Sequence, residues 1–202
     1  MSWNGYENNV LLKNLGIDKN GVPQFADVAM ALGADDIIDS RGIGIFDFDH
    51  DGDLDVAVSH NPGDLYKEEG IPPALYRNDV GQGKEWLAVE LIGTKVNRDA
   101  IGAEVYVQAD HHNLMRLRSA GSSYASQHGH RLYFGLGEST VVATLKVRWP
   151  GGHEEVFKDI QTRQLVRITE GQGIELTTLP TLKTNTLAHN PNANDAAQTG
   201  GR

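Results

Sequence analysis

The sequence predicts a mainly β protein in two parts, a partial propeller-like repeat segment over residues 1–80 and an antiparallel β-sandwich over residues 84–176. Three observations carry this. Glycine is abundant, at 23 of 202 residues, while long helix-forming stretches are scarce, as in a chain that turns often. Short stretches alternating apolar and polar residues recur along most of the chain. One pattern also repeats: Val10-Leu11-Leu12-Lys13-Asn14 returns 64 residues later as Ala74-Leu75-Tyr76-Arg77-Asn78, as successive propeller blades would.

In the first part, residues 10–14 read as a strand, Asp18-Lys19-Asn20-Gly21 as a turn, and residues 24–28 as the next strand. Residues 29–32 read as one helical turn before Gly33. Residues 42–46 lead into a strongly acidic loop, and residues 54–59 lead out of it. A boundary is expected near residues 79–84, where Gly81-Gln82-Gly83 breaks the pattern. Seven alternating segments then follow, at residues 86–92, 103–108, 114–118, 131–134, 144–149, 154–157 and 165–168, the spacing of a sandwich. From residue 177 to 202, Thr, Asn, Ala, Pro and Gly dominate, which predicts a disordered tail.

The net charge of −9 is unevenly divided. Residues 1–80 hold 15 acids against 5 bases, and residues 81–202 hold 12 against 13. No basic footprint exists for general nucleic-acid binding. Without cysteine, disulfides, thiolate zinc sites and cysteine nucleophiles are excluded. No apolar run reaches the roughly 18 residues that a membrane-spanning helix needs, so no transmembrane segment is expected. Residues 1–9 have neither a basic start nor an apolar core, so no secretory signal is expected and the chain as written reads as cytoplasmic.

The most informative chemistry is Asp47-Phe48-Asp49-His50-Asp51-Gly52-Asp53-Leu54-Asp55. Asp47, Asp49, Asp51 and Asp55 fill positions 1, 3, 5 and 9 of a D-x-D-x-D-G-x-x-D pattern. Ca2+ takes six to eight hard oxygen ligands at roughly 2.3–2.6 Å in adaptable geometry, which alternate carboxylates of a tightly wound loop supply. Gly52 stands where the chain must reverse. Asp53 is expected to offer its backbone carbonyl, and Asp55 a bidentate carboxylate. Val58 occupies the place where an EF-hand needs Glu, and the flanks read as strands, so the loop is of a strand-loop-strand kind. A solvated acidic turn is the alternative, but this many carboxylates beside Ile45, Phe46, Val56 and Val58 repel one another without a cation. Mg2+ fits less well, because it demands tighter octahedral geometry.

Around this loop, residues 9–79 resemble the FG-GAP/VCBS type of calcium-binding propeller repeat. Residues 84–170 resemble the ASPIC/UnbV domain through Asn97-Arg98-Asp99-Ala100-Ile101-Gly102-Ala103, Gly121-Ser122-Ser123-Tyr124, Phe134-Gly135-Leu136-Gly137 and Val147-Arg148-Trp149-Pro150-Gly151-Gly152. Together they are similar to the cartilage acidic protein 1 family. The resemblance implies a calcium-binding protein, commonly exported, with no general catalytic mechanism. It carries the metal role onto Asp47, Asp49, Asp51, Asp53 and Asp55 only. Family members usually carry a whole propeller, whereas this chain has one complete loop and strands for one to two blades. Its first segment is therefore expected to pack on the sandwich or to pair with another copy.

Other groupings read as structural. Ser122 and Ser123 near His128 and His130 suggest a hydrolase, but no Gly-x-Ser-x-Gly elbow or orienting acid accompanies them. His111-His112 and His128-Gly129-His130 lack a third ligand at a recognised spacing. Asn97 and Asp99 read as turn-formers bonding to backbone. Arg116, Arg118, Arg131 and Arg148 read as the wet side of strands, with a shared anion-holding face as the alternative. The function expected is a non-catalytic calcium-binding protein whose ion orders a surface for a protein or glycan partner, or for assembly into a homo-oligomer. The alternative is an enzyme of unknown reaction with a calcium-supported site.

Overall fold

The protein is described here by a computed structural model covering residues 7–61, 72–80 and 83–179. The disordered-tail reading lies outside these residues from residue 180 onward. Strands dominate, as expected, and the described residues contain no helix long and apolar enough to cross a membrane.

The first segment begins with a hairpin of β1 (Leu12–Ile17) and β2 (Pro23–Asp27). Its turn forms because the Asp18 carboxylate accepts the N–H groups of Asn20 and Val22, at 2.8 and 2.9 Å. Helix α1 (Ala29–Leu32) is a single turn, stopped by Gly33 in the left-handed conformation. Strands β3 (Ser40–Phe46), β4 (Asp55–His60) and β5 (Ala74–Tyr76) then form an antiparallel sheet in the order β3-β4-β5. The two copies of the sequence repeat take different places, one opening the hairpin and the other forming the sheet edge.

The remaining strands are β6 (Glu85–Ile92), β7 (Glu104–Ala109), β8 (His112–Leu117), β9 (Leu132–Gly137), β10 (Val141–Arg148), β11 (Glu154–Gln161), β12 (Gln164–Thr169) and β13 (Gly173–Thr177). They make two four-stranded sheets, β11-β10-β7-β8 and β13-β12-β6-β9. Seven of them match the expected segments, and β13 is additional. All neighbours pair antiparallel except β6 and β12, which run parallel with Val89 opposite Val166. The alternation in the sequence becomes the core directly. Leu87, Val89, Phe134, Leu136, Val166 and Ile168 from one sheet meet Val105, Val107, Leu145, Val147 and Ile160 from the other, with Trp149 buried at the edge. Burying one such side chain contributes about 1.5–3 kcal/mol. Leu145→Ala is accordingly expected to lower unfolding stability by about 2–5 kcal/mol in a urea titration, whereas Met115→Ala, at a half-exposed position, should change it little.

Glu170 ties the ends of β6 and β12 together. Its buried carboxylate accepts the N–H groups of Thr94, Lys95 and Val96 at 2.9, 2.7 and 3.1 Å. Burial alone pushes its pKa up, but the three donors outweigh this and hold it below the ordinary 4.5. A depressed folded pKa gives stability that is present at neutral pH and lost as pH falls through the folded value. Urea midpoints at about pH 7 and about pH 3 should therefore differ more in the wild type than in Glu170→Gln.

The first segment lacks a comparable core. Among the described residues of this segment, only Ala29 and Val58 are buried hydrophobics, while Ile17, Phe25 and Met30 are mostly exposed. It rests instead on the sandwich, one of the two alternatives expected. A strap over residues 118–131, between β8 and β9, crosses β3: Ser126 Oγ accepts the Ile43 N–H at 2.9 Å, and Gly129 N–H donates to Ile45 O at 2.9 Å. Gly42 permits this approach, since a Cβ there would lie 2.9 Å from Ala125 O. The second contact is at the outer face of β6, where Gly52 lies against Trp86 and Asp47 against Tyr133, beside a small cluster of Trp86, Ala88 and Leu165. Strand β6 is thus buried on both faces from Trp86 to Val89, which explains the continuous apolar run over those four residues.

Candidate metal centre

The acidic loop lies between the last β3–β4 pair, Phe46 opposite Asp55. It is wound around its own carboxylates. Asp47 accepts the N–H groups of Asp51 and Gly52 at 3.2 and 3.1 Å. Asp51 accepts that of Asp53 at 2.9 Å. Asp55, fully buried, accepts Phe48 N–H at 2.7 Å and Asn78 N–H at 2.8 Å, so it joins both ends of the loop to the chain leaving β5. Positive φ angles at His50 (62°) and Gly52 (99°) reverse the backbone. Gly52 has a second duty, since a Cβ there would fall 2.1 Å from the Trp86 indole nitrogen.

Two sets of carboxylates converge here. Asp47, Asp49 and Asp55 each present one oxygen within 4.8 Å of the others, and all three residues are buried. Asp49, Asp51 and Asp79 form a second set meeting the same criterion. Four of the five expected residues are therefore brought together. The Asp53 carboxylate belongs to neither set. Asp79 is an addition that the loop motif does not contain. Its signal was the pairing of β5 with β4, which sets the residues just after β5 at the mouth of the loop.

The electrostatics are those of a site short of positive charge. Burial raises the Asp49 pKa first, and the charges of Asp51, Asp55 and Asp47 raise it further, against a smaller opposing effect of Arg77. Burial also raises that of Asp47, partly offset by the Gly52 N–H and the Tyr133 hydroxyl. Burial of Tyr133 and the neighbouring Asp47 charge push the tyrosine pKa up in turn. Asp49 Oδ1 is buried without a hydrogen-bond partner. Buried carboxylates are costly unless paired with donors or a cation, and hard oxygen donors in this number suit a divalent cation such as Ca2+.

The other groupings separate. Ser122 and His128 line one cavity, but no hydrogen bond joins them, and His128 Nδ1 is buried without a partner, so no acid orients the imidazole. His111 and His112 stack with ring centroids 4.3 Å apart at the β7–β8 turn. His130 lies 3.9 Å from Glu90. Asn97 shapes its turn through two bonds with Ile101, at 2.8 and 2.9 Å, and Asp99 makes no such bond.

Comparison with known proteins agrees with the reading of the second part. The chain is 32% identical to cartilage acidic protein 1 of Xenopus tropicalis over 117 residues, 56% of this chain and 17% of that protein. It is 30% identical to the Homo sapiens protein of the same name over 135 residues, 65% of this chain and 19% of that protein. The Mus musculus protein is 27% identical over the same length, covering 20% of it. The chain thus spans no more than a fifth of the length of these curated relatives. Residues 93–175, which hold β7 to β12 and the start of β13, match the ASPIC and UnbV family.

Proposed function

We propose that this is a non-catalytic calcium-binding protein, in which one Ca2+ in an FG-GAP/VCBS-like loop holds the first segment against the sandwich. The observation that carries this is the convergence of Asp47, Asp49 and Asp55 in a buried position where Asp49 Oδ1 has no hydrogen-bond partner. An ion there neutralises the loop, and Asp79 joins Asp51 on its outer side. The ion is structural: it orders strands β3 to β5, whose own core is too small to do so. The ordered first segment, with its exposed apolar side chains, serves as a surface for a protein or glycan partner or for self-assembly. Similarity to proteins named for cartilage supports a role outside the cell, where calcium is plentiful and a weak site suffices.

Calorimetric titration of chelator-stripped protein with calcium tests the proposal. About one ion per chain is expected, with binding lost in Asp49→Asn. At free calcium roughly 100-fold above Kd, the ion adds about 2.7 kcal/mol of stability. Hydrogen exchange should show chelation loosening residues 40–60 far more than β6, β7 or β10. Absence of saturable binding, or equal exchange with and without chelator, would overturn it.

A further inference from the structure

We infer that the cleft at the seam between the acidic loop and the strap binds a small organic oxyanion, an acidic head group on a compact apolar body. The cleft has a volume of about 210 Å3. Its basic lining consists of Arg116, Arg118, Arg131 and His128, with no Asp or Glu among the lining residues. This occurs at the border of a segment carrying 15 acids against 5 bases, in a chain of net charge −9. The sequence grouped four arginines, and the structure divides them. Arg148 is paired with Glu104 at 2.5 Å, so its charge is answered within the protein. Arg116 and Arg118 have no carboxylate partner among the described residues.

Arg118 is the most informative of these. It is only 7% exposed, and the single hydrogen bond of its side chain is from Nη1 to Ser119 O at 2.6 Å. A buried guanidinium without a counter-ion is costly, and an anion entering the cleft offsets that cost. Arg116 donates to Met115 O at 3.2 Å and stacks 5.8 Å from the Phe134 ring centre, which leaves most of its donors unused. Arg131 Nε is buried without a hydrogen-bond partner, 3.6 Å from Glu90. His128 Nδ1 is a further buried ring atom without one. Planar guanidinium forks match the paired oxygens of carboxylate, sulfate and phosphate. Ile45, Leu54, Leu132 and Tyr133 supply the wall for the ligand's body. Ile45 and Leu54 come from the first segment, so the site is complete only when that segment is docked.

Benzoate, phenyl sulfate and phenyl phosphate, with benzyl alcohol as the uncharged control, probe the cleft by amide chemical-shift titration. At least one anion is expected to bind saturably, with shifts centred on Ser119, Gly121 and Gly129. The order of the three anions identifies the preferred head group. Benzyl alcohol should bind roughly 10-fold more weakly or less, the loss of one charge-assisted contact. Arg116→Gln, at an exposed position, should weaken the anion by a similar factor while leaving the melting temperature unchanged. Arg118→Lys gives an independent check, because it keeps the charge and loses the fork. Equal affinity for benzyl alcohol, shifts centred elsewhere, or no saturation by any of the three anions would overturn the inference.

Discussion

Gly52→Ala is expected to abolish calcium binding and to destabilise the protein by about 2–5 kcal/mol. Two independent penalties combine. The backbone at Gly52 has φ 99°, which an L side chain adopts only at a cost of roughly 1–2 kcal/mol. The added methyl would also stand 2.1–2.4 Å from three atoms of the Trp86 indole, and such overpacking costs about 1–3 kcal/mol. Neither the loop nor the indole can keep its place. The loop opens, Asp47 loses the Gly52 N–H, and Trp86 moves toward water. Tryptophan emission reports this in a Trp3→Phe background, where the second remaining indole, Trp149, is buried in the sandwich core. A red shift, with calorimetric loss of calcium binding, is the expected result. Combining the change with Trp86→Ala should recover part of the stability, because the clash partner is gone. Unaltered calcium affinity in Gly52→Ala would mean that the loop does not close against β6.

Asp55→Asn and Asp49→Asn should behave oppositely once calcium is removed. Asp55 accepts one N–H on each oxygen, from Asn78 and Phe48. An amide turns one of these acceptors into a donor facing another donor, leaving a buried N–H unsatisfied at a cost of about 1–3 kcal/mol. That loss persists in chelator. Asp49 has Oδ1 unpartnered, and its charge is opposed by Asp51, Asp55 and Asp47. Asn at position 49 relieves this repulsion, so in chelator the variant should match or exceed the wild type in thermal stability. In saturating calcium the order reverses, because the wild type gains the binding energy and Asp49→Asn does not. Thermal melts of the three proteins, each with and without calcium, decide this. An Asp49→Asn variant less stable than wild type in chelator would show that Asp49 is held by the fold rather than by an ion.

The strands and the loop were legible in the sequence because their signals are local. Alternation with period two marks a half-buried strand whatever its partner, so β7, β10 and β12 could be read without knowing their neighbours. The single turn of α1 ending at Gly33, and the Asp18 turn, follow from residues within four positions of one another. The carboxylates Asp47, Asp49, Asp51 and Asp55 were equally legible, since their convergence needs only the winding of one loop. β13 was missed although Ile174, Glu175, Leu176 and Thr177 alternate, because the strand is only five residues long and runs straight into the Thr- and Pro-containing stretch that follows.

What the sequence alone determined, then, was strand composition, the acidic loop and the motifs of the second part, all properties of neighbouring residues. Tertiary structure alone decided the parallel pairing of β6 with β12, the arrival of Asp79 beside Asp49, and the division of the four arginines. It also decided that Gly52 faces Trp86 and that the strap carries β3. Each of these joins residues separated by 30 to more than 80 positions. Their contact depends on how the sheets close over the shared core, and that closure leaves no periodic trace along the chain.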